Sequence, residues 1–339
     1  MRAEPVTIRT VAEQAGVSTT TASDAMRGSG RVSERTRTRV LEVAEALRYV
    51  PNGSAQHLRR ASTGAIGLHL PAVLTRSNYY MSFVFGVVER AAADSYDVTL
   101  LTSGQPESRR TPRVDGLVLG DPLAGDPVVE RLMAAGVPTV TCERFPGDAR
   151  ATGVVRSEHA AAVGELLDHL LASGAQRPAL IVAGAESDWA GAVHQGFREW
   201  CLRHRVAPAV RTVPFDTPVD ALHAAANDLL AAEPGIDALV CGPAGAAAAL
   251  LPVLRDAGRT VGEDLLLASC VDGPSMHAAD PPITAIDLRP RDAGAACAAL
   301  LFDLLTGAAP DGTERMHPTE LIVRASTGVP RTSGGRPSS

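Results

Sequence analysis

Residues 6–26 read VTIRTVAEQAGVSTTTASDAM, and this stretch decides the fold of the amino-terminal part. Ile8, Val11, Ala12 and Ala15 recur at helical spacing, so one face of a first short helix is apolar. Thr7 precedes it, with a hydroxyl able to accept from an otherwise orphan N–H of the first turn. Gly16 follows where a sharp stop needs a left-handed residue, and Ser18 caps a second helix expected over about Thr19 to Met26. In that helix Ala22 and Met26 face inward, and Thr19, Thr20, Ser23 and Asp24 are left to point outward. The layout is a helix-turn-helix, which lays its second helix in a DNA major groove. A third helix begins after Ser33, with Val40, Val43, Ala44 and Leu47 as its buried stripe.

A plain helical hairpin gives the same turn, and the continuation weighs against it. Residues 49–60 read YVPNGSAQHLRR, where Pro51 stops one helix and Asn52 can cap another too short to be stable alone. Such a segment folds only against a partner.

TIRTVAEQAGVS (7–18), GSGRVSERTR (28–37) and YVPNGSAQHL (49–58) fall in order within sixty residues. Together they resemble the lactose-repressor and galactose-repressor (LacI/GalR) family of bacterial transcription regulators. The resemblance implies that the short segment is a hinge helix that orders on operator DNA. It implies also that Leu58 matches a leucine that wedges between base pairs in the minor groove. The candidate DNA-contacting residues are Thr7, Ser18, Thr19, Thr20, Thr21, Ser23, Asp24 and Arg31 in the head, with Asn52, Ala55 and Leu58 in the hinge.

Two head positions depart from the family pattern. Thr10 stands where an aspartate is usual, which costs a few tenths of a kcal/mol of dipole interaction. Asp24 stands where an arginine is usual. A carboxylate is repelled by phosphate but accepts from a cytosine amino group; equally, Asp24 can pair with a neighbour such as Arg27.

Charge divides the chain the same way. Residues 1–60 hold ten arginines against six carboxylates, a net +4; with the whole chain at -6, the remainder carries -10. A basic head on an acidic body suits a protein held to DNA by one end. There is no lysine, so arginine makes every phosphate contact by a basic side chain.

At 339 residues, 45% hydrophobic and 4% aromatic, the chain can form a small head and a two-lobed body packed with aliphatic side chains. No apolar run reaches membrane-spanning length and residues 1–10 have no apolar signal core, so no membrane association and a cytoplasmic location are expected. The five scattered cysteines read as reduced core residues without metal spacing. No HExxH, G-x-S-x-G, P-loop or dinucleotide fingerprint is present, so neither an enzyme nor a cofactor is expected.

From about residue 64 the pattern is α/β. Apolar runs at 65–70, 98–101, 116–119, 139–142, 179–182, 238–241 and 265–269 alternate with alanine-rich helical stretches, the pattern of doubly wound parallel sheets. The resemblance implies two lobes like those of periplasmic sugar-binding proteins, with a ligand cleft between them. The expected organisation is a head at 1–50, a hinge and linker at 51–63, a body at 64–330 and a disordered tail at 331–339. Lobe one spans about 64–153 and 286–317 and lobe two about 154–285 and 318–330, with crossovers near Gly153, Pro282 and Pro318.

Ligands of such sheets sit beyond the carboxyl ends of the strands. Tyr79, Tyr80, Arg144, Asp188, Trp189 and Asp272 follow strand runs and are the candidate effector contacts; for the tyrosines, Arg144 and Asp272 the resemblance also implies ligand-facing aromatic groups, one member of an aspartate-arginine pair and a ligand-contacting aspartate. Against the family pattern, Val193 stands where sugar-responsive members carry an arginine, and Pro243-Ala244 replaces an asparagine-aspartate pair. A sugar needs many directional hydrogen bonds, so a conventional sugar effector is disfavoured, and an apolar or aromatic ligand, or no small effector at all, gains ground. The stretch 102–113 is short for the helix usual there, which is expected to be reduced and to open one edge of lobe one. The expected partners are an operator duplex, an unidentified small-molecule effector and a second copy of the chain, giving a dimeric regulator, repression being the family's commoner outcome. The alternative is a soluble small-molecule binder whose DNA head has lost specificity.

Overall fold

The structure, a computed structural model, describes residues 6–28, 30–49, 62–71, 78–101 and 113–328. The hinge residues Asn52, Ala55 and Leu58, the stretch 102–112 and the expected tail lie outside the described residues. The chain divides into two compact units, Met1–Gly64 and Ala65–Ser339.

The head contains α1 (Ile8–Ala15), α2 (Thr19–Arg27) and α3 (Glu34–Ala46). Local chemistry sets each boundary. Thr7 Oγ1 accepts from Thr10 N at 3.4 Å, and Thr10 Oγ1 accepts from Thr7 N at 3.4 Å, a reciprocal capping box. Thr10 thus satisfies a backbone donor in place of the charge–dipole interaction an aspartate supplies. Gly16 ends α1 at φ 66°, and Ser18 Oγ accepts from Thr21 N at 3.1 Å to start α2. Val11, Ala12, Ala15, Ala22, Ala25, Val40 and Ala44 form the core, with Ile8, Met26, Val43 and Leu47 packed around it.

The body is built on two six-stranded sheets. The first runs β2-β1-β3-β4-β5-β11, with β1 (Ala65–His69), β2 (Asp97–Leu101), β3 (Gly116–Gly120), β4 (Thr139–Cys142), β5 (Gly153–Arg156) and β11 (Thr313–Met316). The second runs β7-β6-β8-β9-β10-β12, with β6 (Pro178–Ala183), β7 (Ala209–Val213), β8 (Ala238–Cys241), β9 (Leu266–Ser269), β10 (Thr284–Asp287) and β12 (Glu320–Ile322). All pairings are parallel except β10 with β12. The central strands β3, β4, β6, β8 and β9 are buried throughout, as their continuous apolar runs require. β2 is an edge strand, with Asp97, Thr99 and Leu100 exposed.

The chain crosses between lobes at 157–158, 288–289 and 317–319. The first two fall later than the sequence suggests. Val154 and Val155 pair with Thr141 and Cys142 in the first sheet, whereas Ile286 and Asp287 pair with Leu321 and Glu320 in the second. Strands of four residues carry too little pattern to place a boundary.

The longer helices are α4 (Asn78–Ala93) and α11 (Pro290–Thr306) on lobe one, and α6 (His159–Ala172), α7 (Asp188–His204), α8 (Val219–Ala232) and α9 (Ala246–Asp256) on lobe two. The short α5 (Pro127–Met133) and α10 (Pro274–Ala278) complete the order. α4 and α11 meet through glycines. A Cβ on Gly86 would overlap the Arg291 carbonyl, and one on Gly294 the Phe83 carbonyl.

Candidate functional site

In the head, Thr19 and Thr20 lie exposed on the first turn of α2, beside the exposed Ser18. Thr21, Ser23 and Asp24 are half-buried, and Thr7 and Arg31 are exposed. Thr7, Ser18 and Thr21 are engaged in capping: the Ser18 and Thr21 hydroxyls are 2.8 Å apart, and those of Thr7 and Thr10 3.2 Å. A Cβ on Gly30 would come 2.9 Å from Asp24 Oδ2, so this carboxylate lies against the turn that follows α2.

In the body, a cleft of about 240 Å³ opens at the carboxyl ends of the parallel strands. Lobe one contributes Tyr79 and Tyr80 from α4, Asp121 after β3, and Cys142 and Glu143 at the end of β4. Lobe two contributes Ala183, Trp189, the Phe215–Thr217 loop, Val219, Pro243, Ala244 and Val271. Val193 is buried in the lobe-two core, and Pro243 and Ala244 give the wall no hydrogen-bonding side chain.

Asp121 and Glu143 sit one residue beyond adjacent strands, in the left-handed region at φ 47° and 63°. Asp121 N donates to the Cys142 carbonyl at 3.0 Å and Glu143 N to the Val155 carbonyl at 2.8 Å. The parallel ladder therefore continues through both residues, and it holds a conformation that costs an L-residue about 1 kcal/mol or more. Tyr80 donates its hydroxyl to Asp121 Oδ2 at 3.1 Å, and its ring meets that of Tyr79 edge-on at 5.2 Å. Glu143 Oε1 lies 2.8 Å from His159 Nε2, where lobe two begins.

Burial raises the Asp121 carboxyl to about 7. The Tyr80 hydrogen bond opposes this, Glu143 adds repulsion, and His159 and the nearby Ser187 hydroxyl favour the ionised form. Asp121 Oδ1 is nonetheless buried without a hydrogen-bond partner, as is Trp189 Nε1. Because the unfolded chain ionises first, Asp121 lowers stability as pH rises from about 4 towards 7.

The structure brings Tyr79, Tyr80 and Trp189 into this cleft. Arg144 and Asp188 meet across the lobes outside its lining, where Arg144 N donates to Asp188 Oδ2 at 3.3 Å. The Arg144 guanidinium is held by Glu314 at 3.2 and 2.8 Å. Asp272 is likewise outside the lining, in a bidentate pair with Arg324 at 2.9 and 2.7 Å, with His277 at 3.1 Å. Asp121, Glu143, His159 and Phe215 were not singled out from sequence. The first two were within reach, since they stand two and one residues beyond the apolar runs 116–119 and 139–142.

Among the described residues no cluster of histidine, cysteine or acidic side chains is arranged to hold a metal ion. No helix there is long and apolar enough to cross a membrane. All five cysteines are buried and free.

This pairing of a capped helix-turn-helix head with a two-sheet cleft body defines a class, and comparison with known proteins identifies it. Residues 7–52 match the model described as bacterial regulatory proteins, lacI family, and residues 167–327 match that of a periplasmic binding protein-like domain. The HTH-type transcriptional regulator CelR of Thermobifida fusca is 30% identical over 337 residues, covering 94% of this chain and 98% of that protein. A solved CelR–cellobiose complex superposes with a TM-score of 0.70 at 27% identity, covering 95% of this chain and 99% of that one. The lac repressor dimer bound to operator and the anti-inducer ONPF has the same fold, at a TM-score of 0.81 and 23% identity, covering 96% and 100%. The chain belongs to the LacI family of bacterial regulatory proteins and is a DNA-binding transcriptional regulator.

Proposed function

We propose that the chain is a cytoplasmic repressor that binds a pseudo-palindromic operator as a homodimer, with affinity set by a small molecule in the interlobe cleft. The observation that carries this is the presence, in one chain, of a fully capped helix pair with Thr19 and Thr20 exposed and of a cleft lined by acids and aromatic rings. Thr19 and Thr20 read the groove, with Arg31 on phosphate and Leu58 as the minor-groove wedge. Asp24, set against the Gly30 turn, serves chiefly to hold the end of α2. Tyr79, Tyr80, Trp189, Asp121 and Glu143 contact the effector, and Arg144, Asp188 and Asp272 support the cleft from outside.

Pairing of two chains is supported by α4. Met81, Phe85 and Val88, spaced to share one helix face, are 43%, 56% and 40% exposed. An apolar stripe of this kind suits a two-fold interface. Phe85→Asp is expected to shift the protein from dimer to monomer in sedimentation and to weaken operator binding at least tenfold. A Phe85→Asp protein that remains dimeric would exclude this face.

The relatives support ligand control of operator affinity: CelR is solved with cellobiose, and the lac repressor with operator and an anti-inducer. Closure of the two lobes around a ligand supplies the coupling, of about 1 to 3 kcal/mol in such systems.

A further inference from the structure

Asp121, Glu143 and Asp216 line the cleft, and among the described residues no arginine side chain does. Glu143 Oε1 has His159 Nε2 at 2.8 Å without hydrogen-bond geometry, and Asp121 Oδ1 is buried with no hydrogen-bond partner. Tyr79, Trp189 and Phe215 supply aromatic surface around these acids. The side-chain donors of the described lining are few, chiefly Trp189 Nε1 and the Tyr79 and Thr217 hydroxyls, which is sparse for a neutral polyol, and an anion meets three carboxylates with no arginine among the described lining residues to offset them.

We propose that the cleft takes a small aromatic molecule bearing a protonated nitrogen, an amine or amidine, which donates to Asp121 while its ring lies among Tyr79, Trp189 and Phe215. This rests on the cleft being the effector site. The rings add attraction for a cation as well as apolar contact.

Asp121 is faced by Tyr79 and Tyr80 from α4, Cys142 and Glu143 at the end of β4, His159 from α6 and the Ser187 hydroxyl ahead of α7. Of these only His159 can carry positive charge, and it lies against Glu143. A ligand cation therefore supplies the charge that Asp121 lacks, and amine affinity rises with pH as Asp121 ionises through about 7.

The test is calorimetric titration of the full-length protein at about pH 8, above the Asp121 value of about 7, with 2-phenylethylamine, 2-phenylethanol, phenylacetate and cellobiose. The amine is expected to bind at least tenfold more tightly than the alcohol and phenylacetate not to bind. Asp121→Asn is expected to reduce the amine to the level of the alcohol. Should that variant fail to fold, the ligand series on the unaltered chain decides alone. Binding of cellobiose or the alcohol as tight as that of the amine overturns the amine class while keeping the cleft as an effector site. Silence from all four overturns the amine class and counts against the cleft as an effector site, whatever the operator affinity.

Discussion

Gly86→Ala is expected to cost the body about 3 kcal/mol or more, enough to leave much of the protein insoluble. Gly86 lies in the middle of α4 where that helix crosses α11, and a methyl group there overlaps the carbonyl oxygen of Arg291, which is backbone and cannot rotate away. Gly294 makes the reciprocal approach to the Phe83 carbonyl, so the two helices can separate only by opening the lobe-one core around Phe83, Val87 and Ala298. Gly164, on α6, is the control, since nothing lies within 4 Å of a Cβ added there. Gly164→Ala is expected to be neutral or to stabilise by about 0.5 kcal/mol through helix propensity. Thermal unfolding followed by circular dichroism compares the two, and equal midpoints would show that the close crossing does not constrain the lobe.

Arg324→Ala is expected to cost about 3 kcal/mol, because it leaves a buried carboxylate without its partner. The side chains of Asp272 and Arg324 are 10% and 13% exposed and are joined by two hydrogen bonds. Burial alone raises the Asp272 carboxyl; hydrogen bonds from Arg324, the Gly273 N–H and His277 outweigh it, and the net value is lowered. A lowered folded value means stability that is full above the ordinary carboxylate range, near 4, and lost as pH falls through the folded value. In Arg324→Ala only the Gly273 N–H and His277 still oppose burial, so the stability gained above the ordinary carboxylate range is expected to shrink. Urea unfolding followed by tryptophan fluorescence reads this directly, because both tryptophans, Trp189 and Trp200, lie in the lobe-two core. A midpoint unchanged from the parent protein near neutral pH would show that Asp272 is satisfied without Arg324.

The head was legible in detail because its signals are local. Thr7, Gly16, Ser18 and Ser33 act within one helical turn, and each sits where the structure has a cap or a left-handed residue. The return hydrogen bond to Thr10 Oγ1 adds to these. In the body the seven apolar runs became strands, whereas β5, β7, β10, β11 and β12 were missed. β7 and β11 are edge strands with broken burial patterns, and the others are three or four residues long.

The cleft was partly legible. Tyr79, Tyr80 and Trp189 follow strands, and the carboxyl-end rule finds such residues. That rule cannot say which following residue points inward. Arg144 and Asp272 are diverted by Glu314 and Arg324, which lie 170 and 52 residues away in sequence. The left-handed backbone that sets Asp121 and Glu143 at the ends of adjacent strands has no glycine to announce it.

Selection of bound sequences from random duplex DNA by the full-length protein, at a fixed moderate salt concentration, shows whether it reads an operator as a dimer. Salt must be fixed because the phosphate contribution varies steeply with it. Enrichment of one site with two-fold symmetry is expected, its half-sites spaced for paired α2 helices and its centre for paired hinges. A folded protein that enriches no sequence, or only an asymmetric one, would contradict this reading.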